Sequence, residues 1–267
     1  MTPVTVIQGN SPVILGQPHG GTFVPDDVWA NLNANGKLLA DTDWHIGRLY
    51  DGLLPGATVV AANFHRYVID ANRDPEGASL YPGQNTTGLC PLTDFDGHDI
   101  YGPGVAPDTD QIGERVKAWH RPYHAALVAE IARIKALHGF AVVYDCHSIR
   151  SRIPFLFEGE LPALSIGTDN GKTCAPAIEM LTHQRAASSI YAAVLNGRFR
   201  GGWTTRHYGK PDQHIHALQM ETAQSAYLET EHAPWTYSET KAAQLRKVLR
   251  EILRGIADAA HNLKEDR

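Results

Sequence analysis

Two histidines occupy positions at which α/β proteins place catalytic groups. His19 lies in the glycine-rich turn Gln17-Pro-His-Gly-Gly21, which follows a short apolar segment that predicts a buried strand. His147 lies in Asp145-Cys-His-Ser148, at the end of a second segment of this kind. Sites in open α/β sheets lie beyond the carboxyl ends of strands, and imidazole is a common metal ligand. Asp145 could orient His147 as a ligand. A surface role for His19, or a purely structural hydrogen bond for His147, would explain each position alone.

A third metal ligand is offered by Asp41-Thr-Asp-Trp-His45, at the start of a predicted helix. The alternative role for an aspartate there is helix capping, because the exposed N–H groups and the dipole stabilise a carboxylate. Capping is a good explanation for one aspartate at this position and a weaker explanation for two. We therefore interpret Asp43 as the ligand and Asp41 as the cap, with Asp41 or His45 as alternative ligands.

Glu221 stands inside the apolar segment 216–222, which predicts a strand. A buried carboxylate is costly unless it is paired or used in chemistry. Strand alternation places Glu221 on one face with Gln219, and places His214 and His216 on the opposite face. A carboxylate that takes the proton of an attacking water next to a metal ion fits Glu221.

Several arginines could bind an acidic ligand, because the guanidinium fork holds a carboxylate with two parallel hydrogen bonds. The candidates are Arg66, the pair Asn72-Arg73, Arg150, Arg152 and Arg206. Arg73 stands out, because it follows a predicted strand and precedes a long segment rich in Gly, Pro, Asn and Asp, about 72–107. Structureless loops of this length are usually functional or disordered. Tyr81, Leu89, Phe95 and Tyr101 argue against disorder, so we predict an active-site loop.

The elements that position these residues alternate between strands and helices. Strands are predicted at 12–16, 58–62, 67–71, 139–145, 164–168 and 216–222, and helices at 41–54, 108–138 with an interruption near Pro122, 177–195 and 238–262. Neither a repeat nor a linker divides the chain, so residues 1–267 are predicted to form a single catalytic domain. The alternation predicts a three-layer α/β/α fold with a mostly parallel or mixed sheet.

Composition restricts the function further. The 267 residues carry a net charge of −5 with no block of Lys or Arg, which argues against nucleic-acid and membrane-surface partners. No apolar run of transmembrane length and no targeting pattern occur, so a soluble, cytoplasmic protein is expected. Three widely spaced cysteines predict neither a disulfide framework nor a structural zinc site, so any metal depends on histidines and carboxylates. Nothing in the sequence indicates an oligomeric state.

These residues together resemble the N-formylglutamate amidohydrolases, which belong to a larger group of zinc amidohydrolases and carboxypeptidase-like enzymes. The segments that carry the resemblance occur in the family's order over nearly the whole chain. The sequence differs from the family's pattern at Gly20, where the family often has serine. The segments are Pro18-His-Gly-Gly21, Asp41-Thr-Asp-Trp44, Arg66-Tyr-Val-Ile-Asp-Ala-Asn-Arg-Asp74, Thr86-Thr-Gly-Leu89, Asp145-Cys-His-Ser148, Thr205-Arg-His-Tyr-Gly209 and His216-Ala-Leu-Gln-Met-Glu221.

The resemblance implies a phosphorylase/hydrolase-like fold and one catalytic Zn²⁺, or another divalent metal. It assigns His19, Asp43 and His147 as metal ligands and Glu221 as the general base. It also implies that Asn72-Arg73 binds a substrate carboxylate, and we expect Arg206 or Arg73 to hold a carboxylate or stabilise the oxyanion.

The activity that the resemblance implies is the cleavage of N-formyl-L-glutamate to formate and L-glutamate, in histidine breakdown. Three alternatives remain. The first is a zinc hydrolase of another N-acyl amino acid, such as an N-acylaspartate, or of a short peptide. The second is a cysteine hydrolase that uses Cys146, although strand alternation turns this thiol away from His147. The third is a non-catalytic protein that binds an acidic amino acid.

Overall fold

The computed structural model describes residues 1–78 and 85–265, and in these ranges seven strands form one mixed sheet. The strand order is β1-β3-β2-β4-β7-β5-β6, with β1 and β3 antiparallel, β5 and β7 antiparallel, and the other neighbours parallel. The strands are β1 (Val4–Ile7), β2 (Val13–Gln17), β3 (Thr58–Ala62), β4 (Ala141–Ile149), β5 (Leu164–Gly167), β6 (Ala193–Leu195) and β7 (Ile215–Ala223).

Helices cover both faces of this sheet. They are α1 (Asp26–Asn31), α2 (Ile46–Tyr50), α3 (Thr109–Arg115), α4 (Arg121–His138), α5 (Pro176–Ala187), α6 (Trp203–Tyr208) and α7 (Glu239–Glu265). Side chains of β4 alternate between two cores: Val142 and Tyr144 pack with α5 and α7, whereas Val143 packs with α1 and α4. This arrangement confirms the predicted three-layer α/β/α fold with a mixed sheet.

The longest helices follow directly from the sequence pattern. In α7, Leu245, Leu249, Ile252 and Ile256 recur every three or four residues and are fully buried, which gives one apolar stripe against the sheet. The predicted helix 108–138 begins with a capping box at Asp108 and is confirmed as α3 and α4. Its interruption is a π-helical turn at Val116–His120, whereas Pro122 lies in the first turn of α4, where proline is tolerated.

Four predicted elements differ from the structure. Residues 67–71 form turns, and their apolar side chains are buried by packing rather than by strand pairing. The helix predicted at 41–54 is reduced to α2, and the one predicted at 177–195 ends at Ala187, after which β6 pairs with β5. β4 extends beyond residue 145 through Ile149. Periodicity alone cannot separate a short apolar turn from a strand, which explains the first difference.

The long segment after β3 contains neither helix nor strand in its described parts, 72–78 and 85–107. Phe95 and Tyr101 are buried and Leu89 is partly buried, as expected of a packed loop, whereas Tyr81 lies outside the described residues. Among the helices of the described ranges, none has the apolar length that crossing a bilayer requires.

Candidate active site

The candidate residues meet at the carboxyl edge of three neighbouring parallel strands. His19 follows β2 by two residues, His147 lies in β4, and Glu221 lies in β7. The parallel register of β4 and β7 pairs His147 with Glu221 and Asp145 with Gln219. All four side chains lie on the face of the sheet that packs against α4, because they continue the alternation of Val143 in β4 and Ala217 in β7.

His19, Asp43 and His147 form a buried cluster whose ligating atoms all lie within 4.8 Å of one another. His147 Nδ1 is 3.1 Å from His19 Nδ1 and 3.4 Å from Asp43 Oδ2. Two imidazoles and one carboxylate are a donor set that catalytic zinc sites use, with a fourth position left for water or substrate. The structure therefore brings together the three residues predicted as ligands in a geometry that fits a divalent cation.

Each histidine of the cluster is oriented by a carboxylate on its outer nitrogen. Asp70 Oδ1 lies 2.6 Å from His19 Nε2, and Asp145 Oδ2 lies 2.9 Å from His147 Nε2. These partners fix both rings so that the Nδ1 atoms face the centre of the cluster. The sequence indicated Asp145 but not Asp70. The feature that could have indicated Asp70 is that it is a carboxylate inside the apolar segment 67–71, which the sequence predicts as a strand.

The charge state of the two rings differs. Burial, with Arg66 nearby, lowers the pKa of His19 to about 4, so this ring is neutral near pH 7. Burial also acts to lower the pKa of His147, but Asp145 and Asp43 raise it well above its ordinary value. A metal ligand must be the neutral imidazole, so cation binding at this cluster would release a proton from His147.

Asp43 is held by β4 and by the segment that follows β7. Its Oδ2 accepts the backbone N–H of Ser148 at 2.9 Å. The carbonyls on either side of it are fixed, since Gln224 Nε2 donates to the carbonyl of Thr42 at 3.0 Å and the Tyr227 hydroxyl donates to that of Trp44 at 2.8 Å. The carboxylate therefore has little freedom to leave the cluster.

The two neighbouring candidates have other roles. Asp41 does not cap a helix, because α2 begins after His45 without a side-chain cap. Instead its buried carboxylate accepts the Tyr67 hydroxyl at 2.8 Å and the Phe95 N–H at 2.9 Å, which ties the long loop to the site. His45 is exposed and its Nε2 lies 2.9 Å from the Trp235 carbonyl oxygen. The predicted cap is wrong, and the clustering favours Asp43 over both alternatives.

Glu221 is 7% exposed at the wall of the site, where Gln219 Nε2 donates to its Oε2 at 2.9 Å. Burial raises the pKa of Glu221 to about 7, which is suited to a group that accepts and returns a proton near neutrality. Cys146 lies on the opposite face in the other core, and burial raises its pKa well above the ordinary value. A thiolate nucleophile at this position is therefore disfavoured.

A cavity opens above the cluster, with His19, His147 and Glu221 in its wall. Three arginines, Arg66, Arg73 and Arg198, also line this cavity. The long loop contributes Asn85, Thr86 and Phe95, as expected of an active-site loop. A pocket with this many guanidinium groups has the charge to bind an acidic ligand.

The innermost arginine contacts the metal cluster itself. Arg66 Nη2 contacts His19 Nδ1 and lies 4.0 Å from Asp43 Oδ1, while its guanidinium stacks over Phe95. Three buried aspartates, Asp70, Asp43 and Asp41, act to raise the pKa of this guanidinium against the opposing effect of burial. Arg66 therefore remains cationic in the wall of the cavity.

Asn72 and Arg73 both line the cavity, and both are held by protein groups. Asn72 Oδ1 accepts the N–H of Thr204 at 2.8 Å, and its Nδ2 lies 3.0 Å from His147 Nε2. Arg73 donates from Nε to the Thr87 carbonyl at 2.9 Å and from Nη2 to the Thr87 hydroxyl at 3.1 Å. Their role in substrate binding stays a prediction.

Arg206 does not line the cavity, whereas Arg198, which the sequence did not indicate, does. Arg206 lies in α6 and does not line the cavity; its Nε donates to the Gly201 carbonyl at 2.9 Å and its Nη2 lies 3.6 Å from Asp169 Oδ1. The lining of the cavity gives the predicted role of Arg206 no support, and that role stays a prediction. Arg198 follows β6, a strand that we had assigned to a helix, so no local signal pointed to it.

Comparisons of both kinds with known proteins, by sequence and by structure, lead to one family. A family model described as N-formylglutamate amidohydrolase matches residues 11–228. The N-formylglutamate deformylase of Pseudomonas aeruginosa is 44% identical over 93% of this chain and 94% of its own length, and that of Pseudomonas putida is 44% identical over 93% of each. The crystal structure of an N-formylglutamate amidohydrolase from Ralstonia eutropha matches the full length of both chains with a TM-score of 0.78 at 24% identity.

Proposed function

The chain belongs to the N-formylglutamate amidohydrolase family, and from this premise we propose that it hydrolyses N-formyl-L-glutamate to formate and L-glutamate. The observation that carries the proposal is the buried Glu221 beside the cluster of His19, Asp43 and His147, in a cavity lined by arginines. A dicarboxylate with one amide bond matches this combination of charge and chemistry.

The proposed cofactor is one Zn²⁺ held by His19, Asp43 and His147. The donor set fits this ion, because both Nδ1 atoms and a carboxylate oxygen converge while Asp70 and Asp145 hold the outer ring nitrogens. When bound, such an ion polarises the scissile carbonyl and acidifies the attacking water.

The protein's own groups then move the proton and stabilise the developing charge. Glu221 accepts the proton of the attacking water and delivers it to the departing amine of glutamate. Arg66 contacts His19 Nδ1, the nitrogen offered to the cation, so its guanidinium would turn away from this atom when a cation binds. It could then donate to the oxygen of the tetrahedral intermediate as its negative charge develops. We therefore propose Arg66 for the oxyanion in preference to Arg206 or Arg73.

The two carboxylates of the substrate require separate cationic contacts. We assign one carboxylate to Arg73, with Asn72 beside it, and the other to Arg198, since both guanidinium groups line the cavity. Arg198 thus takes the place that we had considered for Arg206. The remaining parts of the proposal are a single catalytic domain, a cytoplasmic location and a step in histidine breakdown.

The proposal is tested by measuring formate release from N-formyl-L-glutamate before and after chelation, and again after zinc is added back. We expect activity that disappears with the chelator and returns with zinc. Activity that survives complete metal removal would contradict the zinc cofactor. A folded, metal-loaded protein that releases no formate, but hydrolyses an N-acylaspartate, would shift the assignment to another N-acyl amino acid.

The carboxylate contact of Arg73 yields a separate prediction. The conservative variant Arg73→Lys keeps the charge but cannot reproduce the guanidinium fork or its bonds to Thr87. We expect the KM for N-formyl-L-glutamate to rise by about 10-fold or more, a loss on the scale of one charge-assisted hydrogen bond. The measurement is steady-state kinetics at constant zinc content. An unchanged KM and kcat would place the carboxylate site elsewhere.

A further inference from the structure

Two histidines outside the cavity contact the backbone on either side of Asn72. His124 Nε2 lies 2.8 Å from the carbonyl oxygen of Ala71, and His120 Nε2 lies 3.0 Å from that of Arg73. A carbonyl can only accept, so each ring carries its proton on Nε2 and donates. The backbone between these two anchored carbonyls carries the side chains of Asn72 and Arg73, and Asn72 touches His147.

The helix positions the two donors for this contact. His120 ends the π-helical turn and His124 lies one turn later in α4, so their side chains share one face and their ring centroids are 4.3 Å apart. π-Helical turns often occur at functional sites. Here the turn brings two imidazoles into line with two carbonyls of one short segment.

The protonation and packing of these rings fit a fixed donor role. Burial lowers the pKa of His124 to about 3 and lowers that of His120, so both are neutral near pH 7. The other nitrogen of His124, Nδ1, lies 2.9 Å from the Tyr208 hydroxyl, which can donate to it. Trp203 packs edge-on against His124 at 4.7 Å between centroids, which further limits rotation of the ring.

The segment that they hold has little space to move. Asn72 Oδ1 accepts the Thr204 N–H, and a Cβ on Gly202 would lie 2.2 Å from Asn72 Nδ2, so glycine is needed for this close approach. The Asn72 N–H donates to Asp70 Oδ1 at 2.8 Å, and Asp70 in turn binds His19. A shift of this backbone would therefore change the position of Asn72 and Arg73 in the cavity.

We propose that His120 and His124 are positioning residues that fix Asn72 and Arg73 for binding of the substrate carboxylate, by donating hydrogen bonds to the flanking carbonyls. This inference rests on the proposed function, because it takes Arg73 as a contact of the substrate. Neither histidine lines the cavity, so both act through the backbone that they hold.

The test is the variant His124→Phe, which keeps a ring of similar shape but removes the donor, together with His124→Gln, whose amide can donate to the same carbonyl. For His124→Phe we expect the KM for N-formyl-L-glutamate to rise about 5- to 10-fold, the effect of one hydrogen bond, while kcat and zinc content stay near those of the parent. For His124→Gln we expect most of the parent KM to be restored. His120→Phe provides a second variant with the same expected change.

His138→Phe is the matched control. His138 ends the same helix and its Nε2 lies 2.7 Å from the carbonyl oxygen of Asn10, at the opposite edge of the sheet. Loss of that contact should leave the KM unchanged. If the His124 and His120 variants behave like this control, the proposal is wrong. A parallel loss of zinc, kcat and thermal stability would also overturn it, because the histidines would then support the fold in general.

Amide hydrogen exchange separates this proposal from the proposed function. The N–H groups of Asn72 and Arg73 bond to Asp70, and we expect them to exchange about 5- to 10-fold faster in His124→Phe, with exchange in β4 unchanged. Unchanged exchange at these two amides would contradict the proposal that His120 and His124 fix this segment. A parent protein that releases no formate would contradict the proposed function alone, since the exchange experiment would still decide whether the histidines fix this segment.

Discussion

The variant His147→Ala is expected to lose both its bound zinc and its release of formate. His147 Nδ1 lies 3.1 and 3.4 Å from the other two donor atoms, so its removal leaves His19 and Asp43 as an incomplete donor set. Loss of an outer partner of a ligand costs roughly 10- to 100-fold in metal affinity or activity, and we expect loss of the ligand itself to exceed this. Metal titration and formate release measure the two effects.

Two further variants make this prediction specific. Asp145→Asn removes the carboxylate that orients His147 and should give an intermediate loss of zinc affinity, of about 10- to 100-fold. His45→Ala removes an exposed imidazole close in sequence to Asp43 and should retain zinc and activity. A His147→Ala protein that is folded by circular dichroism and keeps full zinc affinity would show that the cluster is not the metal site.

The sequence was sufficient to predict the strands that carry the site and to bring His19, Asp43 and His147 together as candidate ligands. His19, His147 and Glu221 each follow or occupy an apolar segment with strand character, and alternation placed Glu221 and Gln219 on one face. Parallel strands bring their carboxyl ends to one edge, so separate local signals predicted a shared location. The three-layer fold follows from the same alternation of elements.

The contacts that the sequence could not predict all depend on tertiary packing. Asp41 resembled a helix cap because α2 was expected to begin there, whereas its carboxylate binds Tyr67 and Phe95 from distant segments. The role of Asp70 could not be predicted, because this residue lies in an apolar segment that has the pattern of a strand but forms turns. Arg198 enters the cavity only because β6 continues the sheet beside β5. Contacts between residues that are far apart in the sequence produce no periodic pattern in the sequence.

The electrostatics of the cavity likewise emerge only from the folded arrangement. Arg66 is one of many arginines in the sequence, but the fold buries it among Asp70, Asp43 and Asp41. These carboxylates stabilise its charge, and the guanidinium in turn helps to keep His19 neutral. A neutral histidine and a fixed cation at one site satisfy the requirements of metal ligation and anion stabilisation together.

The variant Glu221→Gln is expected to keep its zinc and to lose most of its turnover. The amide preserves the shape of the side chain, and its oxygen can still accept from Gln219 Nε2, but it cannot take a proton. Removal of a general base typically lowers the rate by about 10²- to 10⁴-fold, so kcat should fall in that range while zinc content stays at one per chain. Formate release and metal analysis of the same sample measure both quantities.

The pH profile tests the role of Glu221 more specifically, because only the deprotonated carboxylate can act as the base. Burial raises its pKa to about 7, and a bound cation would lower it from there towards its ordinary value. The parent's kcat/KM should therefore fall as the pH drops through this interval. The residual activity of Glu221→Gln should lack that acid limb, whereas Glu221→Asp should retain one. A Glu221→Gln enzyme with full turnover and an unchanged pH profile would assign the proton transfer to another group in the cavity.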